Sequence, residues 1–157
     1  MKKIVLLLMA LGLIQSASMA QTKVPQPVND AFKQKFPEAS KVKWEKETGD
    51  NYEAAFKIKG SEYSASFSII GEWLETESES NIGELPPTVL NSFNTLHKGV
   101  QVKEVSKIEL KDGSIQYEIE IQHGIQSVDL LYAVDGKELK GIKQGKEKEK
   151  GKGKGKE

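Results

Sequence analysis

The chain contains no cysteine and no arginine, and only two histidines, His97 and His123. Without cysteine there is no disulfide and no thiolate zinc site, so any fold must be held by its core alone. All 23 basic residues are lysine. The bidentate guanidinium grip on phosphate or carboxylate is therefore missing. Two histidines without H-E-x-x-H or paired spacing give no zinc-enzyme pattern. His97 falls near a helix end and His123 near a turn, positions expected to be solvated. No glycine-rich phosphate loop opens a helix, and no nucleophile-elbow sequence is present. No apolar run reaches the ~20 residues that span a bilayer.

The opening residues fit a secretory signal. Lys2 and Lys3 form a basic start, Ile4 to Ile14 an apolar run, and Ser18-Met19-Ala20 a small-residue cleavage site. The mature chain is expected to begin near Gln21 and to reside in the periplasm or be secreted. With no cysteine after the signal, lipid attachment there is excluded.

A formal charge of zero conceals an asymmetry. Residues 21–140 carry 14 lysines against 20 acids, and residues 141–157 carry 7 lysines against 3 glutamates. An acidic body argues against nucleic acid, whose binding needs cations to neutralise phosphates. The segment "GIKQGKEKEKGKGKGKE" at 141–157 is of low complexity and is expected to be a disordered tail. It would act as a solubiliser or as a weak cationic tether to an anionic surface.

Between signal and tail the chain resembles itself. "VPQPVNDAF" at 24–32 aligns with "LPPTVLNSF" at 85–93, and "GDNYEAAFKIKG" with "GSIQYEIEIQHG". The expected organisation is a first repeat over 21–82 and a second over 83–140, each a helix followed by strands. Val28, Ala31, Phe32 and Phe36 form one helical stripe, and Val89, Phe93 and Leu96 another. Prolines open both helices, Pro37 stops the first, and Gly99 can close the second.

The strands alternate. Tyr52, Ala54, Phe56 and Ile58 share a side, and a Gly60-Ser61 loop would pair Ile58 with Tyr63 and Lys59 with Glu62. A two-residue Gly71-Glu72 loop pairs Ile70 with Trp73 and Ile69 with Leu74. That sends Leu74 to the core and Trp73 to the opposite face, unless the 80–85 linker covers it. Asp112-Gly113 and Asp135-Gly136, read the same way, put Ile108, Leu110 and Leu139 on the core side. Lys107, Glu118, Glu120, Asp129, Leu131 and Glu138 then face the other way. Trp44, counted through the loop at 48–50, falls opposite Ala54 on the core side. The fold class is α+β: two tandem units of a helix plus four antiparallel strands, helices on one sheet face and the other face open.

The succession "VP…AF…FP…KVKWEKE…YEAAFKIKGSEYSASF…GEWLETE", then "LPPTV…YEIEI…DGKEL", resembles the PepSY-like, β-lactamase-inhibitor-like family of bacterial exported proteins. The resemblance runs over about residues 23–140. It implies a tandem helix-plus-four-strand fold, export, and a role in protein binding or inhibition, with no catalytic residues to carry over. β-Lactamase inhibitor proteins of this general fold grip the enzyme with aromatic side chains on the exposed sheet face. This chain departs from them, lacking their cysteines and placing carboxylates where aromatics would stand.

The expectation is a non-enzymatic module that binds an unidentified envelope protein through the open face. The partner-binding set is Trp73, Ile70, Ser64, Ser66, Glu75, Glu77 and Leu131, with Trp73 and Ile70 as apolar anchor. No metal ligand, cofactor or catalytic residue is assigned. Glu75, Glu77 and Glu79 alternate along "ETESES", a flat ladder that supplies too few convergent oxygens for calcium. The alternative is an acidic cation-binding or envelope-sensing protein with a cationic surface-tethering tail.

Overall fold

The computed structural model describes residues 23–139; the signal-like start and the 141–157 segment lie outside them. Helix α1, Gln26–Lys35, precedes β1 Ser40–Lys46, β2 Tyr52–Ile58, β3 Ser61–Phe67 and β4 Trp73–Ser80. Helix α2, Pro87–Leu96, precedes β5 Gln101–Leu110, β6 Ile115–His123, β7 Gln126–Ala133 and the short β8 Glu138–Leu139. All strands form one antiparallel sheet in sequence order from β1 to β8. The β4–β5 pairing joins the two halves edge to edge, which removes two strand edges that would otherwise be open to foreign strands.

Both helices lie on the same side of the sheet. Each begins with proline in its first turn, where a missing N–H leaves no bond unmade. In the first half Val28 and Phe32 pack on Tyr52, Ala54, Phe56, Ala65 and Phe67. In the second, Val89 and Phe93 pack on Val105, Ile119, Ile121, Leu130 and Tyr132. Trp44 pairs with Ala54 and is half-buried against the first core, as its spacing suggests.

Turn geometry departs from the sequence expectation at four hairpins, and three of the departures decide which side chains face which way. The β2–β3 loop is Lys59-Gly60, both at positive φ (51° and 95°), and pairs Ile58 with Ser61. Glu62 therefore faces Lys57 rather than Lys59. This shift of two leaves the faces unchanged. The other three turns contain one residue more than expected. Gly71, Gly113 and Gly136 each donate their N–H to the carbonyl three residues back, at 2.8, 2.9 and 2.9 Å. Each glycine adopts the left-handed conformation that follows a type I turn in three-residue hairpin loops.

An odd residue exchanges the faces beyond it. Trp73 pairs with Phe67, not Ile70, and packs on the first core beneath α1. This corrects its expected place on the helix-free face. A bulge at Leu74 then restores the alternation, so Glu75 opposes Ser66 and Glu77 opposes Ser64. No bulge follows the other two turns immediately. Ile108 and Leu110 sit opposite Glu77 and Glu75 on the helix-free face, not in the core. Leu139 joins them there opposite Leu131, while Glu138 pairs with Tyr132 on the helix side. Lys107, opposite Tyr117, likewise belongs to the helix side.

Two of these glycines also fix the helices. A Cβ on Gly71 would lie 2.5 Å from the Pro27 carbonyl oxygen, and one on Gly136 would lie 2.5 Å from that of Thr88. Each turn thus touches the first turn of the helix of its own half with bare backbone.

Candidate binding face

The face opposite the helices carries a band of carboxylates. Successive pairings across the strands place them side by side. Glu45 opposes Glu53, Glu53 opposes Ser66, and Glu75 and Glu77 oppose Ser66 and Ser64. Farther on, Glu79 opposes Ser106, Ser106 opposes Glu118, Glu104 opposes Glu120, and Glu120 opposes Asp129. Like charges directly opposite in a sheet are destabilising, and here Glu45–Glu53, Glu104–Glu120 and Glu120–Asp129 are all retained. On this face, lysines appear at the β1–β2 end, where Lys57 bonds Glu62 at 2.5 Å. Lys103, at the bulge of β5, donates to Ser127 at 2.9 Å.

The ground between the carboxylates is small or aliphatic. Ser66 and Ser106 are only 8% and 4% exposed and Ile108 8%, although no described element covers them. Ser66 also donates to Glu47 at 3.1 Å.

Carboxylates in such a setting hold protons more tightly than in water. Partial burial, then the charge of neighbouring acids, raises the pKa of Glu75 and of Glu104. Burial raises Glu53 too, against a hydrogen bond from Ser64 that lowers it. Asp129 is raised by burial and by Glu120. Glu118 is pushed up to about 7, by burial first and then by Glu77, Asp129, Glu104 and Glu120. The groups named as neighbours come from β4, β5, β6 and β7, so the band behaves electrostatically as one surface.

The structure brings together Ser64, Ser66, Glu75 and Glu77, and sets Leu131 on the same face opposite Glu118. It separates the two anchors. Ile70 occupies the β3–β4 turn and is 75% exposed. Trp73 lies on the helix side, its ring under Lys35 Nζ at 3.5 Å and its Nε1 donating to Thr76 at 2.9 Å. Glu104 and Ser106 escaped the sequence reading, although the alternation Glu104, Ser106, Ile108 follows the same period as Glu75, Glu77, Glu79.

His97 is not solvated as expected. It is half-buried, and its Nε2 meets Glu138 Oε2 at 2.7 Å, the oxygen to which the Tyr132 hydroxyl also donates at 2.8 Å. Burial raises the Glu138 pKa, but the bonds from His97 and Tyr132 outweigh it and leave the carboxyl below its ordinary value. No serine, threonine or cysteine belongs to this bonded cluster. A groove of about 440 Å³ beside the end of α1 is lined mainly by Phe32, Phe36, Pro37, Val42 and Trp44. Asn29 and Lys33 are its polar contributors. Among the described residues no group of three or more His, Cys, Asp or Glu could hold a metal ion. No described helix is long and apolar enough to cross a membrane.

Comparison with known proteins agrees with this architecture. A BLIP-like protein from Bacteroides fragilis is 32% identical with a TM-score of 0.63, the match covering 75% of this chain and 85% of that one. A DUF2874 family protein from Bacteroides ovatus is 26% identical with a TM-score of 0.66, covering 74% and 84%. A chain described as a "putative periplasmic" protein, from Bacteroides eggerthii, shares the fold at 22% identity and a TM-score of 0.67, covering 74% and 86%. No curated protein matches. The family model described as "Putative beta-lactamase-inhibitor-like, PepSY-like" matches residues 14–59 and again 50–140. The chain therefore belongs to the PepSY-like, beta-lactamase-inhibitor-like family.

Proposed function

We propose that this is an exported, non-enzymatic binding module whose helix-free sheet face takes a cationic, lysine-rich protein segment. The observation that carries this reading is the carboxylate band from β4 to β7, which no lysine among the described residues pairs with, together with Ile108 and Leu131 on the same face. A lysine can lay its alkyl stem on such aliphatic ground and carry its ammonium to a carboxylate. A cationic partner would relieve the repulsion that the free face retains. The periplasmic or secreted location rests on the signal-like start and on the description of the fold neighbour. The matching order of helix and four strands in each half, and the equivalent glycine contacts, support two copies of one unit.

This moves the interface away from an indole anchor toward charge. Trp73 belongs to the core packing of its half and Ile70 to the rim. The cation-binding alternative lacks convergent ligands among the described residues.

The test is titration of the chain with a synthetic lysine-rich peptide, followed by calorimetry or fluorescence of the labelled peptide. Glu118→Gln with Glu120→Gln should weaken binding about tenfold, while Glu84→Gln with Glu109→Gln, off this face, should not. Affinity should fall with added salt. It should rise from pH 5.5 to 8, because the deprotonated face is the binding form and Glu118 titrates near 7. Equal affinity for both double variants would refute the assignment.

A further inference from the structure

We propose that residues 141–157 of the chain itself dock on the carboxylate face and compete there with an outside partner. The proposal rests on the reading of this face as a cation-seeking surface, and adds its regulation.

Three observations point to this occupant. First, charge: the segment carries 7 lysines and 3 glutamates, whereas the face presents Glu77, Glu79, Glu104, Glu118, Glu120 and Asp129 across four neighbouring strands. Second, position: the described chain ends at β8, beside β7, with Leu139 on this same face opposite Leu131. Crossing from β8 to β4 takes four strand spacings, about 19 Å. Seventeen extended residues reach about 55 Å, so length is no obstacle. Third, chemistry: the lysines alternate with glycine or glutamate from 146 to 156. An extended chain with that period sends every ammonium to one side, and its glycines add no bulk there. A second copy of the face is an unsuitable occupant, because two acidic surfaces repel each other.

The tethered segment acts at an effective concentration of order 1 mM. Against an intrinsic dissociation constant of ~0.1 mM it would weaken an outside lysine-rich peptide about tenfold. The absence of cysteine permits a clean measurement. A spin label on Gly153→Cys, in the chain starting at Gln21, should broaden the amide resonances of Ser106, Glu118 and Asp129 and spare those of Val28, Phe32 and Val89. Added salt at 0.5 M should abolish the effect. Replacing the lysines from Lys143 to Lys156 by glutamine should abolish it too and strengthen peptide binding about tenfold.

No selective broadening, or broadening of the helix side, would overturn the proposal. So would broadening that passes between a spin-labelled chain and an isotope-labelled one, which would mean docking between molecules. Capture of the segment by anionic vesicles with the face unaffected would also overturn it. In each case peptide binding that still depends on Glu118 and Glu120 would leave the proposed function standing. Loss of that dependence as well would remove both.

Discussion

The two halves solve the same corner in opposite ways. Where α1 ends, the N–H of Phe36 bonds the Phe32 carbonyl at 2.8 Å; where α2 ends, the N–H of His97 bonds that of Phe93 at 2.8 Å. Two residues after its turn glycine, the first half places Trp73 opposite Phe67, and the second places Glu138 opposite Tyr132. The first corner is aromatic, capped by the Lys35 ammonium over the indole. The second is polar, with His97 and Tyr132 sharing one carboxylate oxygen. The backbone frame is thus indifferent to what fills it. The glycine contact with the helix sets the geometry, and the filling sets how stability depends on pH.

The largest effects should fall on the shared frame. Gly71→Ala and Gly136→Ala each put a methyl group 2.5 Å from a carbonyl oxygen at positive φ, and each should cost about 3 kcal/mol or more in urea unfolding. Gly113→Ala, with the same φ but open space, should cost only about 1 kcal/mol. Similar values for all three would break the view that helix contact, rather than turn conformation, locks each half.

The filling comes next. Trp73→Ala should lose about 2–3 kcal/mol, below the range for a fully buried aromatic because the ring is half-exposed. Its cost should be nearly independent of pH from 4 to 8. Glu138→Gln should lose about 1 kcal/mol at pH 7. The Glu138 pKa is lowered in the folded state. Its contribution is therefore full above the unfolded carboxyl value and disappears as pH falls through the folded one. The gap between Glu138→Gln and the parent should narrow as pH falls below the ordinary carboxyl range. A gap constant with pH would show that the polar corner contributes packing alone.

The smallest effect has the opposite sign. Glu118 takes up a proton in the folded state before it does in the unfolded one, so stability declines as pH rises from about 4.5 to about 7. Glu118→Gln should stabilise by about 1 kcal/mol at pH 8 and have little effect at pH 4. Thermal melts across that range would show whether the second half's face stores the repulsion assigned to it.

How much of this was legible depended on counting residues in turns. The helices, the prolines before them and the alternation of β2 are local patterns and match the structure, except that Leu96, expected on the buried stripe of α2, is 59% exposed. Faces beyond Gly71, Gly113 and Gly136 required knowing that each loop holds three residues, which a two-residue reading of glycine turns misses. Glu75 and Glu77 were nonetheless placed correctly. The bulge between Trp73 and Glu75 cancels the error, so Trp73 changes sides and the residues from Glu75 onward do not. In the second half nothing cancels it nearby, and Ile108, Leu110, Glu138 and Leu139 all changed sides. The acidity of the face survived because Glu118, Glu120 and Asp129 lie on β6 and β7, whose connecting turn is short. Its continuity across the joint was not legible, since the β4–β5 pairing links residues distant in the chain.

The turn before β8 also has a consequence for how such a protein diverges. Losing Lys137 while the three-residue turn keeps its form would slide the final strand by one position, carrying Leu139 opposite Tyr132, in the neighbourhood of His97, and Glu138 to the opposite surface. A single codon deletion, with no amino acid replaced, would exchange a hydrogen-bonded carboxylate for a greasy contact and add one more negative charge to the acidic band.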